Sequence, residues 1–131
     1  MGDFLLMRGD TRGALALYEA ELERARRLAA RDADNVTWRG ELLPRYEKVG
    51  RCQRLLGNRS AARALAETQL RTATELLAKA PEHRGWRFAW ARAHMALASL
   101  DADKAPAVRT REHLKQALAV LERRSREAPD E

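Results

Sequence analysis

Cysteine is nearly absent from this sequence. Cys52 stands alone, so no internal disulfide can close and no cysteine-based metal site can assemble. A reducing cytoplasm is the expected compartment. Histidine is sparse as well: His83, His94 and His113 are too scattered to pair on one helix face, and no metal is expected. Ser60, Ser99 and Ser125 lack the setting of a nucleophile elbow, and no glycine-rich loop follows a strand. The chain therefore reads as a non-enzyme without cofactors. Long apolar runs are missing too, and nothing approaches the roughly 20 consecutive apolar residues of a membrane span. Met1 to Met7 includes Asp3 and has no basic lead, which does not fit a signal peptide.

Only four prolines and seven glycines interrupt 131 residues, of which 45% are apolar and 34% charged. That balance fits one folded helical domain, able to bury roughly two thirds of its unfolded surface. The net charge is +6 and the pI lies near 10.2, which would draw an acidic peptide or nucleic acid from a distance. Almost all of the positive charge is arginine, with Lys48, Lys79, Lys104 and Lys115 as the lysines, in an alanine-rich chain. A GC-rich genome produces the same pairing. The favoured reading is a solvated surface of arginine and glutamate, which ranks nucleic acid below protein as a partner.

The strongest positive signal is internal repetition. A shift of 48 positions pairs Gly2 with Gly50, Gly9 with Gly57, Ala14 with Ala62, Leu17 with Leu65, Leu22 with Leu70, Ala25 with Ala73 and Trp38-Arg39 with Trp86-Arg87. A fixed period in this range signals stacked helical units.

The chain opens on a helical stub that Gly9 ends in a left-handed conformation, and Asp10 or Thr11 caps the next helix. Leu15, Tyr18, Leu22, Ala25 and Leu28 or Ala29 then draw an apolar stripe ending near Arg31. Asp34, Asn35 or Thr37 caps a helix carrying Trp38, Leu42, Tyr46, Val49, Cys52 and Leu56, in which Pro44 predicts a kink. A helix from about Arg59 to Ala80 is stopped by Pro81, and the next presents Trp86, Trp90, Ala93, Leu97 and Leu100. Pro106 suits the first turn of a last helix that runs to about Arg126 on Leu114, Ala117, Leu118 and Leu121, and the tail 127–131 should fray.

At Gly50, Gly57-Asn58 and Ala62, matched by Gly2, Gly9-Asp10 and Ala14, the pattern resembles the tetratricopeptide repeat. In that family a small residue on helix A meets an alanine on helix B across a tight turn. The resemblance implies an all-α, right-handed solenoid of helical hairpins, with five long helices and an N-terminal stub. It divides the chain into a half unit over 1–31, a full unit over 35–80 and a diverged capping unit over 83–126. The period exceeds the roughly 34 residues of the usual repeat by about four helical turns, as in long-helix repeats of bacterial multidomain proteins. Ala105-Pro106 and Thr110 depart from the pattern in the last unit. Gly2, Ala14, Gly50, Ala62, Trp38 and Trp86 take the repeat-packing roles.

Helix A lines the concave groove in that family, and the same positions here are Glu47, Lys48, Arg51 and Arg54, then Arg92, Met95 and Ser99. Lys48, Arg51 and Arg92 form a basic patch, similar to the groove with which some members hold a peptide carboxylate. The asparagines of that clamp are absent; Arg51 and Ala96 stand at two of their places. The implied function is protein–protein interaction or scaffolding, with an acidic peptide or partner helix in the groove, within a larger bacterial protein and away from the membrane. Two alternatives remain: a structural or regulatory segment of a larger signalling enzyme, and an arginine-rich surface for nucleic acid. Phe4, Leu5, Leu6 and Met7 lack the rest of their helix, so a preceding region or a second copy is expected to cover them.

Overall fold

The computed structural model describes residues 2–102 and 107–127, all of them in helices, turns or short connections. In chain order the helices are α1 (Gly2–Met7), α2 (Thr11–Arg31), α3 (Val36–Gly40), α4 (Leu42–Leu55), α5 (Arg59–Lys79), α6 (Arg84–Asp101) and α7 (Ala107–Glu127). The expected turn at 105–106 and the tail beyond Glu127 lie outside the described residues.

The helix ends follow from local chemistry. Gly9 and Gly57 adopt φ of +83° and +84°, the left-handed conformation that glycine tolerates best. Each closes a paired C-terminal hydrogen-bond motif: Asp10 N–H donates to Leu5 O at 2.7 Å and Gly9 N–H to Leu6 O at 3.0 Å, while Asn58 N–H donates to Gln53 O at 2.8 Å and Gly57 N–H to Arg54 O at 3.0 Å. Asp10 then caps α2, accepting from Gly13 N–H at 2.8 Å, and Asn35 caps α3, accepting from Trp38 N–H at 3.0 Å. Asn58 makes no such bond; its side chain donates back to Gln53 Oε1 at 2.7 Å. Ala80 leaves the helical region at φ −143° and ψ 80°, as a residue before proline must.

Pro44 interrupts the helix, although Glu41 between the two segments stays in the right-handed helical region at φ −68° and ψ −17°. The helical ladder stops at Gly40, turns at Glu41 and resumes at Leu42, so α3 and α4 are separate segments. Proline lacks the N–H that would reach the carbonyl of Gly40, and its ring crowds that same carbonyl.

The helices pack in chain order: α1 on α2, α2 on α4, α4 on α5, α5 on α6 and α6 on α7. The second-neighbour contact between α4 and α6 brings those two alongside one another. Two apolar clusters join the layers. Ala14, Tyr18, Leu22, Ala25 and Ala29 of α2 meet Leu42, Tyr46, Val49 and Cys52 of α4, with Trp38, Leu5 and Leu6 packed against them. Leu43, Ala73, Leu76 and Trp86 form the second, with Leu77, Ala89 and Trp90 at its edge. The 48-residue shift carries Ala25, Ala29, Trp38 and Leu42 of the first onto Ala73, Leu77, Trp86 and Trp90 of the second. Gly50 faces α5: a methyl built on it would lie 3.5 Å from Leu65 Cβ and 3.9 Å from Ala62 O. Its counterpart Gly2 is tighter, since a methyl there would enter the ring of Tyr18 at 2.5 Å.

Candidate groove site

Two depressions open side by side on the surface formed by α4 and α6. The larger, of about 690 Å³, reaches from Tyr18 and Asp3 past Lys48 and Arg51 to Trp86, Phe88 and Arg92. The smaller, of about 410 Å³, continues along Gly50, Arg54, Met95 and Ser99. Glu47, Arg51 and Arg92 line both, so the two form one groove. The five groove residues read from the sequence, Lys48, Arg51, Arg54, Arg92 and Met95, all line it. Helical phase explains this: positions 47, 51 and 54 share one face of α4, and positions 92, 95 and 99 share one face of α6.

The lining is not purely basic. Glu47 accepts from Arg92 Nε across the groove, joining α4 to α6, and Arg54 donates to the Ser99 hydroxyl. Lys48 Nζ lies 5.4 Å from the centre of the Tyr18 ring, and the Arg92 guanidinium lies 5.5 Å from that of Phe88. Arg51 is exposed and makes no hydrogen bond or ion pair to any described residue. Arg51 is thus the groove cation most open to a ligand, and Met95, 43% exposed, provides an apolar surface beside it.

At one end of the groove the Tyr18 hydroxyl donates to Asp3, fastening α1 to α2. The hydrogen bond from Tyr18 holds the Asp3 carboxyl below its usual 3.8, helped by the charge of Lys48. Burial, and then the bond to Asp3, pushes the Tyr18 hydroxyl up to about 12. The sequence reading missed both as groove residues, because they come together only when α1 folds back on α2.

Trp86 is only 9% exposed, in keeping with the packing role expected of it, and it also lines the groove. Its indole rests on Gly40, where a methyl would come within 2.8 Å of Trp86 Nε1. The His83 ring stacks on the indole at 3.9 Å with an interplanar angle of 6°, and His83 Nδ1 accepts from Trp86 N–H at 3.2 Å, capping α6. Histidine is not a usual cap, so its sequence carried little sign of this role. Trp38 is half-buried against the first cluster.

His94 and His113, remote in sequence, meet across the α6–α7 contact with their Nδ1 atoms 3.0 Å apart. His113 Nε2 lies 3.7 Å from Asp101, which also accepts from Arg63. Burial, and then the charge of His113, holds His94 below its usual 6.5. Among the described residues no three His, Cys, Asp or Glu side chains converge as a metal site. Cys52 is buried in the first cluster, and burial raises its thiol above the usual value, so it serves as an apolar side chain there. No helix among the described residues is long and apolar enough to cross a membrane. Set against protein-family models, curated proteins and solved structures, the chain matches none.

Proposed function

We propose that this chain is an interaction module built from tetratricopeptide-like hairpins, with α3–α4 and α6 as the A-type helices and α2, α5 and α7 as the B-type helices. The groove along α4 and α6 receives a peptide segment or partner helix bearing an acidic group. One observation carries this reading: the depressions of about 690 and 410 Å³ are continuous through Glu47, Arg51 and Arg92. A groove of that kind offers Met95 and the lining part of Trp86 to apolar side chains and sets Arg51 and Lys48 to meet a carboxylate. Two further features support the repeat. The paired turns at Gly9 and Gly57 have the same hydrogen bonds, and corresponding residues occupy the two apolar clusters. Binding on this reading involves no catalytic step and no cofactor, and it suits a scaffolding segment of a larger bacterial protein in the cytoplasm.

Pairing within the chain favours a peptide over nucleic acid. Arg39, Arg63, Arg87 and Arg92 each face an acidic side chain, which leaves less positive surface for a phosphate backbone. The test is fluorescence anisotropy with a labelled, glutamate-rich peptide. Replacing Lys48 and Arg51 with glutamate should weaken binding by about tenfold or more, since two attractive contacts become repulsive, with the circular dichroism unchanged. Equal binding by the reversed variant would sink the proposal. So would tighter binding to a mixed oligonucleotide with a steep salt dependence.

A further inference from the structure

The 48-residue register sets α1 and α7, the outermost of the described helices, against the interior ones. Phe4 of α1 corresponds to Cys52 of α4 and Leu100 of α6. Those two residues are 0% and 4% exposed, whereas Phe4 is 56% exposed. The neighbouring Met7 gives no such contrast: it is exposed, but so is its counterpart Leu55. Leu5 and Leu6 are already packed against the first cluster. The end of α1 therefore lacks cover at one position, the one that in α4 is buried against the preceding long helix α2.

The opposite end shows the complementary vacancy. Tyr18 and Leu22 of α2, which are buried with Cys52 in the first cluster, correspond to Ala66 and Leu70 of α5 and to Leu114 and Leu118 of α7. Tyr18 and Leu22 are buried, as is Ala66, and Leu70 is half-buried, but Leu114 and Leu118 are 44% and 56% exposed. In α2 this face lies between α1, which Tyr18 meets at Asp3 and Gly2, and the following helix α4. The surface that α7 leaves open is thus shaped for a helix like α4, and α1 carries the residues of the last turns of such a helix.

We propose that α7 of one copy receives α1 of a second copy, head to tail, with Phe4 seated beside Leu114 as Cys52 is seated with Tyr18. The inference uses the repeat register proposed above but not the groove. The contact joins two different surfaces, so each copy keeps one unused end and copies add in series, as an open chain or a ring of more than two. An interface supplied on one side by a helix of six residues is small, so association is weak and depends on concentration.

Sedimentation or light scattering of the 131-residue chain tests this over about a hundredfold range of concentration. The average mass should climb past that of a dimer. Phe4→Glu and Leu114→Glu should each stop growth with helicity retained, because both side chains are exposed in the single chain. An equimolar mixture of the two variants should form a 1:1 dimer and nothing larger, since each supplies the intact end that the other lacks. A constant monomer mass for the unaltered chain overturns the proposal, as does growth that ends at a dimer. So does a variant mixture that fails to associate although the unaltered chain grows. Groove binding is measured on the same variants: loss of assembly with peptide binding intact separates this inference from the groove reading.

Discussion

A methyl group at Gly50 would meet Leu65 Cβ at ordinary contact distance, whereas at Gly40 it would meet the Trp86 indole at 2.8 Å. The resemblance gives Gly50 the part of the small residue at which two helices meet. The helices α4 and α5 do approach there, yet with room for one more carbon. Gly50→Ala should therefore leave stability unchanged or raise it by up to about 1 kcal/mol through helix propensity. Gly40→Ala should lower it by about 1–3 kcal/mol, because the Trp86 ring, which also stacks on His83, must move. Chemical denaturation of the two variants checks the contrast. The period pointed to Gly50 and not to Gly40 because position 88, its counterpart, is a phenylalanine: the need for space at 40 comes from where the Trp86 ring lies, and no spacing encodes that.

At the scale of the element, α1 is a short helix fastened by Leu5, Leu6 and the Tyr18–Asp3 hydrogen bond. The Asp3 carboxyl is lowered by folding, so its contribution is present above its ordinary 3.8 and lost as pH falls through the folded value. The Tyr18 hydroxyl is raised, so its contribution is present below 10 and lost as pH rises through about 12. Amide protection in α1, taken relative to the intrinsic exchange rate at each pH, should be highest between those limits and should fall in Tyr18→Phe, with α5 unaffected; equal protection in the variant would show that the bond does not hold the helix. Much at this scale was legible. Asp10 and Asn35 stand where caps belong, and the apolar spacing of α2, α5 and α6 matches their buried faces. The break at Glu41 was legible only as a bend, since a proline marks the place of a disturbance and the surrounding packing decides its size. The capping bond from His83 and the inward amide of Gln69, which donates to Ala89 O at 2.9 Å, had no sequence sign beyond a polar residue in an apolar phase.

Across the whole molecule, a partly buried polar line links three helices: Arg63 of α5, Asp101 and His94 of α6, and His113 of α7. Folding lowers the His94 pKa below 6.5, so the unfolded chain binds the extra proton more readily. The stabilising effect of neutral His94 is complete above about pH 6.5 and is lost as the pH falls through the folded value. Thermal melts should show a falling midpoint on acidification through that range, and His94→Gln should flatten the dependence. A slope unchanged by the substitution would assign the effect to other groups. The groove positions come from the resemblance to the tetratricopeptide repeat, and helical spacing keeps them on one face of α4 and one of α6, but their pairing had no sign in the sequence, because it depends on how far α4 stands from α6. The link between Glu47 and Arg92 gives that distance a functional meaning. A carboxylate that takes Arg92 must displace a resident acid of the same chemistry, so occupancy is an exchange rather than a filling, and a guest that also offers a cation to the released Glu47 holds an advantage over one that brings negative charge alone.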